Sequence, residues 1–326
     1  MIISRTPLRI SLVGGGTDFR EFYKAEFGAV TSLAINKYVY ITVNKRFDKS
    51  IRVSYSQLEI VDNMNEVKHN LVREAMRLTG VTEGVEITSI ADIPSKGTGL
   101  ASSSAFTVGL LHALYAYKGK QVPAKTLAEQ ACKIEIGILK DPIGKQDQYI
   151  VALGGIRHIR FYPNEKVKAE SIACHKKSMQ TLKSSLMLFY TGISREAGSI
   201  LTDQKEETKK GTNRESLKII KNLAVQLKES LMRGVDADAL GDSLHRDWTE
   251  KKKLTSSISN ALIDDYYNRG LKAGASGGKL LGAGGGGFLL FCCPNRYQNN
   301  LRKTLKELRE MPFKLEPTGT KIIFGG

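Results

Sequence analysis

The sequence has no apolar run long enough to cross a bilayer, and its opening residues Met1 to Arg9 read as a first strand rather than a signal peptide. Cysteine is scarce. Cys132, Cys174, Cys292 and Cys293 show no metal-ligand spacing, and the adjacent pair is poorly placed to bridge to itself. That argues against a disulfide framework and for reduced thiols in a cytoplasmic protein. Aromatic residues make up 7% of the 326, with one tryptophan and no stacking motif, which weakens a nucleic-acid reading of the net charge of +16. The basic residues are also interleaved with acids, as in Asp203-Gln204-Lys205-Glu206-Glu207, so most of this charge belongs to solvated helix surface. Two nucleotide-binding fingerprints are missing. Gly14 and Gly16 follow the first strand, but Phe19 occupies the third glycine position of a dinucleotide turn, and Asp18 would repel pyrophosphate. No Walker A sequence exists either, since Lys96 precedes the central glycines instead of following them.

What is present fits a globular protein of two domains, with 41% apolar and 25% charged residues. The patterning predicts strands over 1–14, 29–45, 85–90, 154–161, 186–190 and 288–291, and a last one near Lys321. Helical spacing covers 70–78, closed by Gly80, and 124–139, ended by Asp141-Pro142. Residues 164–177 are polar and loop-like, and the domain boundary is placed near residue 175. Helices then dominate: 198–233 with an interruption, 239–254, 258–270 and 302–309.

The chemistry concentrates in glycine. Gly97-Thr98-Gly99-Leu100-Ala101-Ser102-Ser103-Ser104 lies between a strand and a helix, where close backbone approach and unpaired N–H groups suit a polyphosphate. An ordinary helix cap after a loop is the alternative. Gly14-Gly15-Gly16-Thr17-Asp18 pairs a glycine turn with a carboxylate able to accept polyol hydroxyls, and Arg9 upstream could meet an anion. A third element, Gly282 to Gly287 around Ala283, is either a tight bend or room for backbone beside a ligand. A phosphotransferase needs one carboxylate for Mg²⁺ and one for the attacking hydroxyl, and Glu135 and Asp147 are candidates, although either alone is more often a surface charge.

Taken in order, these elements resemble the GHMP sugar and metabolite kinases over most of the chain. The motifs that carry it are Pro7-Leu8-Arg9 through Asp18, Pro94 to Ala105, and Gly278 to Phe288. Within the family the likeness is greatest to the bacterial heptose 7-phosphate kinases, through Gly14 to Asp18, Gly144 to Tyr149, Tyr190 to Arg195 and the final glycine run. The resemblance implies an α+β fold of two domains, 1–175 and 176–326, with the active site in the cleft between them. It implies ATP-dependent phosphorylation of a sugar or sugar-phosphate hydroxyl, here the anomeric one. Fucokinase, galactokinase and mevalonate kinase activities are the alternatives, with a catalytically silent sugar/ATP sensor behind them. By the same resemblance Ser103 and Glu135 are the Mg²⁺ ligands, with Ser102 and Ser104 close enough to exchange places with Ser103. Asp147 is the base or positioning carboxylate. Arg9, Gly15, Gly16, Thr17, Asp18, Gly192 and Arg195 contact substrate, and Lys96, Gly97, Thr98, Gly99, Leu100, Ala101, Ser102, Ser103 and Ser104 wrap the ATP phosphates. Ala101 stands where many relatives carry Gly or Ser. A phosphorylated substrate would draw its cations from Arg195, Lys145 and nearby lysines. No nucleic-acid or membrane partner is expected, and a homodimer is compatible with the sequence.

Overall fold

The computed structural model describes residues 1–94, 97–193 and 197–325. Two sheets organise the chain. The first is built on β1 (Ile2–Val13) and β2 (Gly28–Lys45), with β3 (Ile51–Ser54), β4 (Leu58–Val61), β5 (Val85–Ala91), β6 (Ile156–Phe161) and β7 (Val167–Ser171). β8 (Leu186–Tyr190), β9 (Gly277–Leu280), β10 (Phe288–Cys292) and β11 (Arg309–Glu310) form the second, and β12 (Lys321–Gly325) returns to the first. The first sheet runs β12-β1-β2-β5-β3-β4, with β6 and β7 branching off β2; the second runs β11-β8-β10-β9. β2 is 18 residues long and serves two neighbours: Gly28–Leu33 pair with β6, and Val39–Lys45 pair with β5. Its β-branched and aromatic content suits a strand buried along most of its length.

The helices are α1 (Arg20–Tyr23), α2 (Asn70–Thr79), α3 (Ser102–Tyr117), α4 (Ala124–Cys132), α5 (Gln146–Leu153), α6 (Lys176–Ser185), α7 (Ala197–Lys210), α8 (Arg214–Arg233), α9 (Ala237–Lys251), α10 (Ala261–Lys272) and α11 (Asn295–Thr304). α3 is apolar around most of its girth because it is buried between α2, α4, α5 and the first sheet. One core surrounds it. A second core gathers Phe189, Phe291, Trp248 and Tyr267 around the second sheet. No helix among the described residues is long and apolar enough to cross a membrane.

The mixed α+β fold with two sheets is the expected one. Three local expectations change. Residues 164–177 contain β7, a half-buried edge strand whose polarity hides it from a pattern search. The last helix begins at Asn295, straight after Pro294, and ends at Thr304 rather than spanning 302–309. Leu305 and Leu308 stay buried from a turn, which preserves the helical spacing without the helix. The helix over 124–139 changes at Cys132 into a π-helical turn, Lys133–Ile138. We propose the division near residue 175 as the domain boundary, with β12 crossing back to the first sheet.

Candidate active site

A cavity of about 580 Å³ opens where the glycine elements meet. Its wall holds Gly15, Gly16 and Asp18 from the first element, Gly97 to Ser104 without Leu100 from the second, and Gly282, Ala283, Gly284 and Gly286 from the third. The second and third elements touch backbone to backbone. A Cβ on Gly99 would lie 2.5 Å from the Leu281 carbonyl oxygen, and one on Gly282 would lie 2.4 Å from the Gly99 Cα. Only glycine permits that approach.

The first turn of α3 faces this space. Its N-cap residue, Ala101, has φ +67°, in the left-handed region that glycine favours, and no side chain caps the helix. The serines look elsewhere: Ser102 meets Thr98 at 3.3 Å, while Ser103 and Ser104 donate to Glu135 at 3.3 and 3.0 Å. First-turn N–H groups without a side-chain cap are an anion site in the making.

Glu135 sits in the π-helical turn, where it and Ile134 are the buried residues. It is fully buried and also accepts from Thr107 (2.9 Å) and Gln148 (2.5 Å). Burial pushes its carboxyl up to about 7 against the pull of those donors. Ser103 is exposed and Ser104 buried, so of these two hydroxyls Ser103 is the one open to a ligand.

Asp147 occupies the first turn of α5 and is gripped in a fork by Arg9 from β1: Nε to Oδ1 at 2.8 Å and Nη2 to Oδ2 at 2.9 Å. Arg9 is 3% exposed, and its Nη1 donates to the Gly99 carbonyl at 2.6 Å. Asp18 accepts from the backbone N–H groups of Gly16 and Gln146. Burial, with nearby Asp147 adding to it, raises the Asp18 carboxyl to about 6. A Cβ at Gly144 would fall 2.0 Å from Asp18 Oδ2, so the glycine before Lys145-Gln146-Asp147 lets the two acids converge.

The cavity thus brings an uncapped helix N-terminus and a fixed carboxylate together on one wall. The model of the GHMP kinases N terminal domain matches residues 65–155. The chain is 29% identical over 321 residues to D-glycero-alpha-D-manno-heptose 7-phosphate kinase of Campylobacter jejuni, covering 94% of this chain and 93% of the relative. Both matches make the chain similar to the GHMP kinases, the family model over residues 65–155 and the relative over almost the whole length. Among solved structures, a D-glycero-D-manno-heptose 1-phosphate kinase from Bacteroides thetaiotaomicron superposes with a TM-score of 0.81 at 24% identity, over 98% of both chains. A putative sugar kinase from Campylobacter jejuni gives 0.79 at 28% identity, over 98% of this chain and 97% of that one.

The GHMP kinases that the chain resembles are ATP-dependent phosphotransferases acting on an alcohol group. GHMP kinases use ATP with Mg²⁺. The residues present fit that ion. Among the described residues no cluster of three or more His, Cys, Asp or Glu could hold a metal alone. Mg²⁺ bound with a nucleotide asks for less, one or two carboxylates beside phosphate oxygens and water. Glu135 with the Ser103 hydroxyl is such a set.

Several expected residues lie off the wall. Thr17 is buried behind it, its hydroxyl bonded to the carbonyls of Gly14 and Ala29. Leu100 is buried and contributes only its carbonyl, which accepts from the Arg9 N–H. Gly192 is exposed beyond the end of β8 and does not line the cavity. Lys96 and Arg195 lie outside the described residues. Lys145 does not line this cavity: it donates to Glu165 at 2.5 Å and packs over the Tyr23 ring. Arg9 is revised too, since its guanidinium is mainly spent on Asp147 and the phosphate loop.

Sequence reasoning missed a buried charge cluster beside the third glycine element. Asp247 and Lys251, one helical turn apart on α9, meet Lys279 of β9. Asp247 pairs with Lys279 and accepts from the Gly14 N–H. Lys251 donates to the carbonyls of Leu280 (3.2 Å) and Gly282 (2.5 Å). A lysine inside the apolar run Gly278-Lys279-Leu280-Leu281 was the available signal. Lys251 gave none, sitting in a helix already rich in charge.

Proposed function

We propose that this protein transfers the γ-phosphoryl group of ATP to the anomeric hydroxyl of D-glycero-D-manno-heptose 7-phosphate, forming the 1,7-bisphosphate. The observation that carries the reaction is the fixed carboxylate of Asp147 on the same cavity wall as the uncapped first turn of α3. An end-to-end match with a relative named for heptose 7-phosphate supports the substrate.

Gly97, Thr98, Gly99 and Ala101 to Ser104 hold the ATP phosphates, with first-turn N–H groups directed at their charge. Ser103 and Glu135 would hold Mg²⁺, which would supply charge to offset the phosphate oxygens. A carboxylate offers about four lone-pair sites, and Arg9 takes two of Asp147's. The remaining ones accept the sugar hydroxyl, hold it in line with the phosphorus and receive its proton as the bond forms. Asp18, Gly15 and Gly16 bind the polyol, with Asp18 accepting from ring hydroxyls. The protein works in the cytoplasm on this small molecule.

ATP consumption measured over heptose 7-phosphate, mannose, fucose, galactose and mevalonate tests the reading. Turnover fastest with heptose 7-phosphate is the expected result. Turnover only with an unphosphorylated acceptor would remove the substrate assignment and leave the family standing.

A further inference from the structure

The mechanism above leaves one buried cation unused. Lys251 is 6% exposed and lines the cavity, yet among the described residues its ammonium makes no ion pair. It holds two backbone carbonyls and lies 5.9 Å from the Trp248 ring centre. The nearby Asp247 carboxylate is already ion-paired with Lys279 and accepts from the Gly14 N–H, so its single negative charge is balanced by the other lysine. The cluster of Lys251, Asp247 and Lys279 therefore carries one positive charge in excess. An ammonium so deeply placed without a carboxylate is costly, and burial together with neighbouring Lys279 brings it down to about 7. Lysine is also an odd choice for tying a glycine loop, where a neutral amide could donate to the same carbonyls at no charge penalty. The charge has a reason if an anion completes the cluster. The third glycine element that Lys251 grips presses directly on the phosphate loop at Gly99.

We propose that Lys251 contacts a phosphoryl group in the cleft, either the γ-phosphate of the nucleotide or the phosphate that the sugar already carries. The proposal rests on the cleft being a phosphotransfer site. Lys251 would donate its third N–H to a phosphoryl oxygen while its other two keep the glycine loop in place. This gives the enzyme a cation for a doubly charged group without drawing Arg9 from Asp147 or Lys279 from Asp247.

The test compares Lys251→Gln, which retains a donor for the carbonyls without the charge, and Lys251→Arg, which retains the charge. Calorimetry measures ADP, the non-hydrolysable analogue AMP-PNP, heptose 7-phosphate and the unphosphorylated heptose on each protein, and thermal melting checks the fold. Loss of one charge-assisted hydrogen bond predicts ~10- to 100-fold weaker binding of the ligand whose phosphate Lys251 meets. A loss confined to AMP-PNP, with ADP unchanged, assigns the γ-phosphate; a loss confined to heptose 7-phosphate, with free heptose unchanged, assigns the sugar's own. Recovery in Lys251→Arg supports either assignment. Lys251→Gln with wild-type affinity for both phosphorylated ligands overturns the proposal. So does an equal fall for ADP and AMP-PNP without recovery in Lys251→Arg, which is the mark of a loop clamp. Wild-type protein that binds AMP-PNP but not heptose 7-phosphate removes the substrate assignment alone, and the AMP-PNP arm then decides for Lys251. Wild-type protein that binds neither nucleotide removes the phosphotransfer reading, and the proposal with it.

Discussion

The fork between Arg9 and Asp147 permits a test that separates positioning from chemistry. In Asp147→Asn an amide NH₂ replaces one acceptor oxygen, so one of the two guanidinium N–H groups at 2.8 and 2.9 Å faces a donor. Breaking a fully buried ion pair costs about 3–5 kcal/mol. Asp147 is 24% exposed and water can rescue part of that loss, so the expected destabilisation is ~2–3 kcal/mol in urea unfolding. Turnover should fall ~10²–10⁴-fold, the span for loss of a general base, while ADP binding stays within a few-fold of wild type. Arg9→Met keeps the carboxylate but frees it to rotate, and a misplacement near 1 Å is worth about 10²-fold in rate. If Arg9 acts on catalysis through Asp147, the double variant turns over no more slowly than Asp147→Asn itself at saturating ATP and sugar. Steady-state turnover and urea titrations on all four proteins complete the cycle. Rate losses that multiply in the double variant would show Arg9 touching the transferring group independently. Asp147→Asn with wild-type turnover would remove Asp147 from the mechanism.

Asp18 brings a pH signature. Its carboxyl titrates near 6 in the fold against 3.8 as a free group, so between those values the native protein binds a proton that the unfolded chain does not. Stability from this group is complete below about pH 4 and lost as pH rises through 6, by an amount of order 3 kcal/mol. Asp18→Asn should flatten that slope in urea unfolding from pH 4 to 7, and an unchanged slope would place the titration elsewhere. Gly99→Ala puts a methyl group 2.5 Å from a backbone oxygen at φ +75°, so the phosphate loop must shift. Nucleotide affinity should drop ~10-fold or more, since strain and displacement each cost ~1–2 kcal/mol. A fluorescent-nucleotide titration with unchanged affinity would refute it. Gln148→Leu removes a donor from Glu135. The Mg²⁺ concentration for half-maximal activity should rise ~10- to 100-fold, the usual cost of losing a partner that orients a metal ligand. A fall in turnover at unchanged Mg²⁺ dependence would point to Asp147's helix instead.

The parts of the site that were legible in the sequence are those where backbone conformation restricts residue choice. Gly99 and Gly282 are glycine because a Cβ would strike the opposing loop, so two elements some 180 residues apart advertise their contact by composition. Glu135 and Asp147 were visible only because the glycine elements had raised the expectation of carboxylates. Thr17 and Leu100 were misplaced for a physical reason: within a motif, side chains that shape the loop and side chains that face the ligand have the same spacing. Lys251 and Asp247 were illegible because a charged pair at i and i+4 on a helix is ordinarily solvated surface. What buries this one is the return of β9 beside α9, a contact carried by no local pattern. The helix over 295–304 and strand β7 escaped because both are short, polar and half-exposed, where tertiary pairing overrides propensity.

The net charge of +16 does not describe this cleft. Its wall sets Arg9, Lys251 and Lys279 against Asp18, Asp141 and Asp147, with Glu135 and Asp247 directly behind. Bulk basicity therefore says little about the ligand, and arrangement says more. Arg9 is bound to Asp147 and Lys279 to Asp247, which fixes two of the three cations to carboxylates that need them. Burial raises the Glu135 carboxyl, because no cation beside it among the described residues offsets its charge, a need that a divalent cation would meet. Lys251 is in the mirror condition, an ammonium that burial and neighbouring Lys279 disfavour and that no carboxylate pairs with among the described residues. A cleft with one under-neutralised carboxylate and one under-neutralised ammonium is matched by a ligand that brings both signs. A metal-chelated polyphosphate is such a ligand, its cation answering Glu135 and its phosphate oxygens answering Lys251, whereas a nucleotide without its metal would leave the carboxylate unanswered.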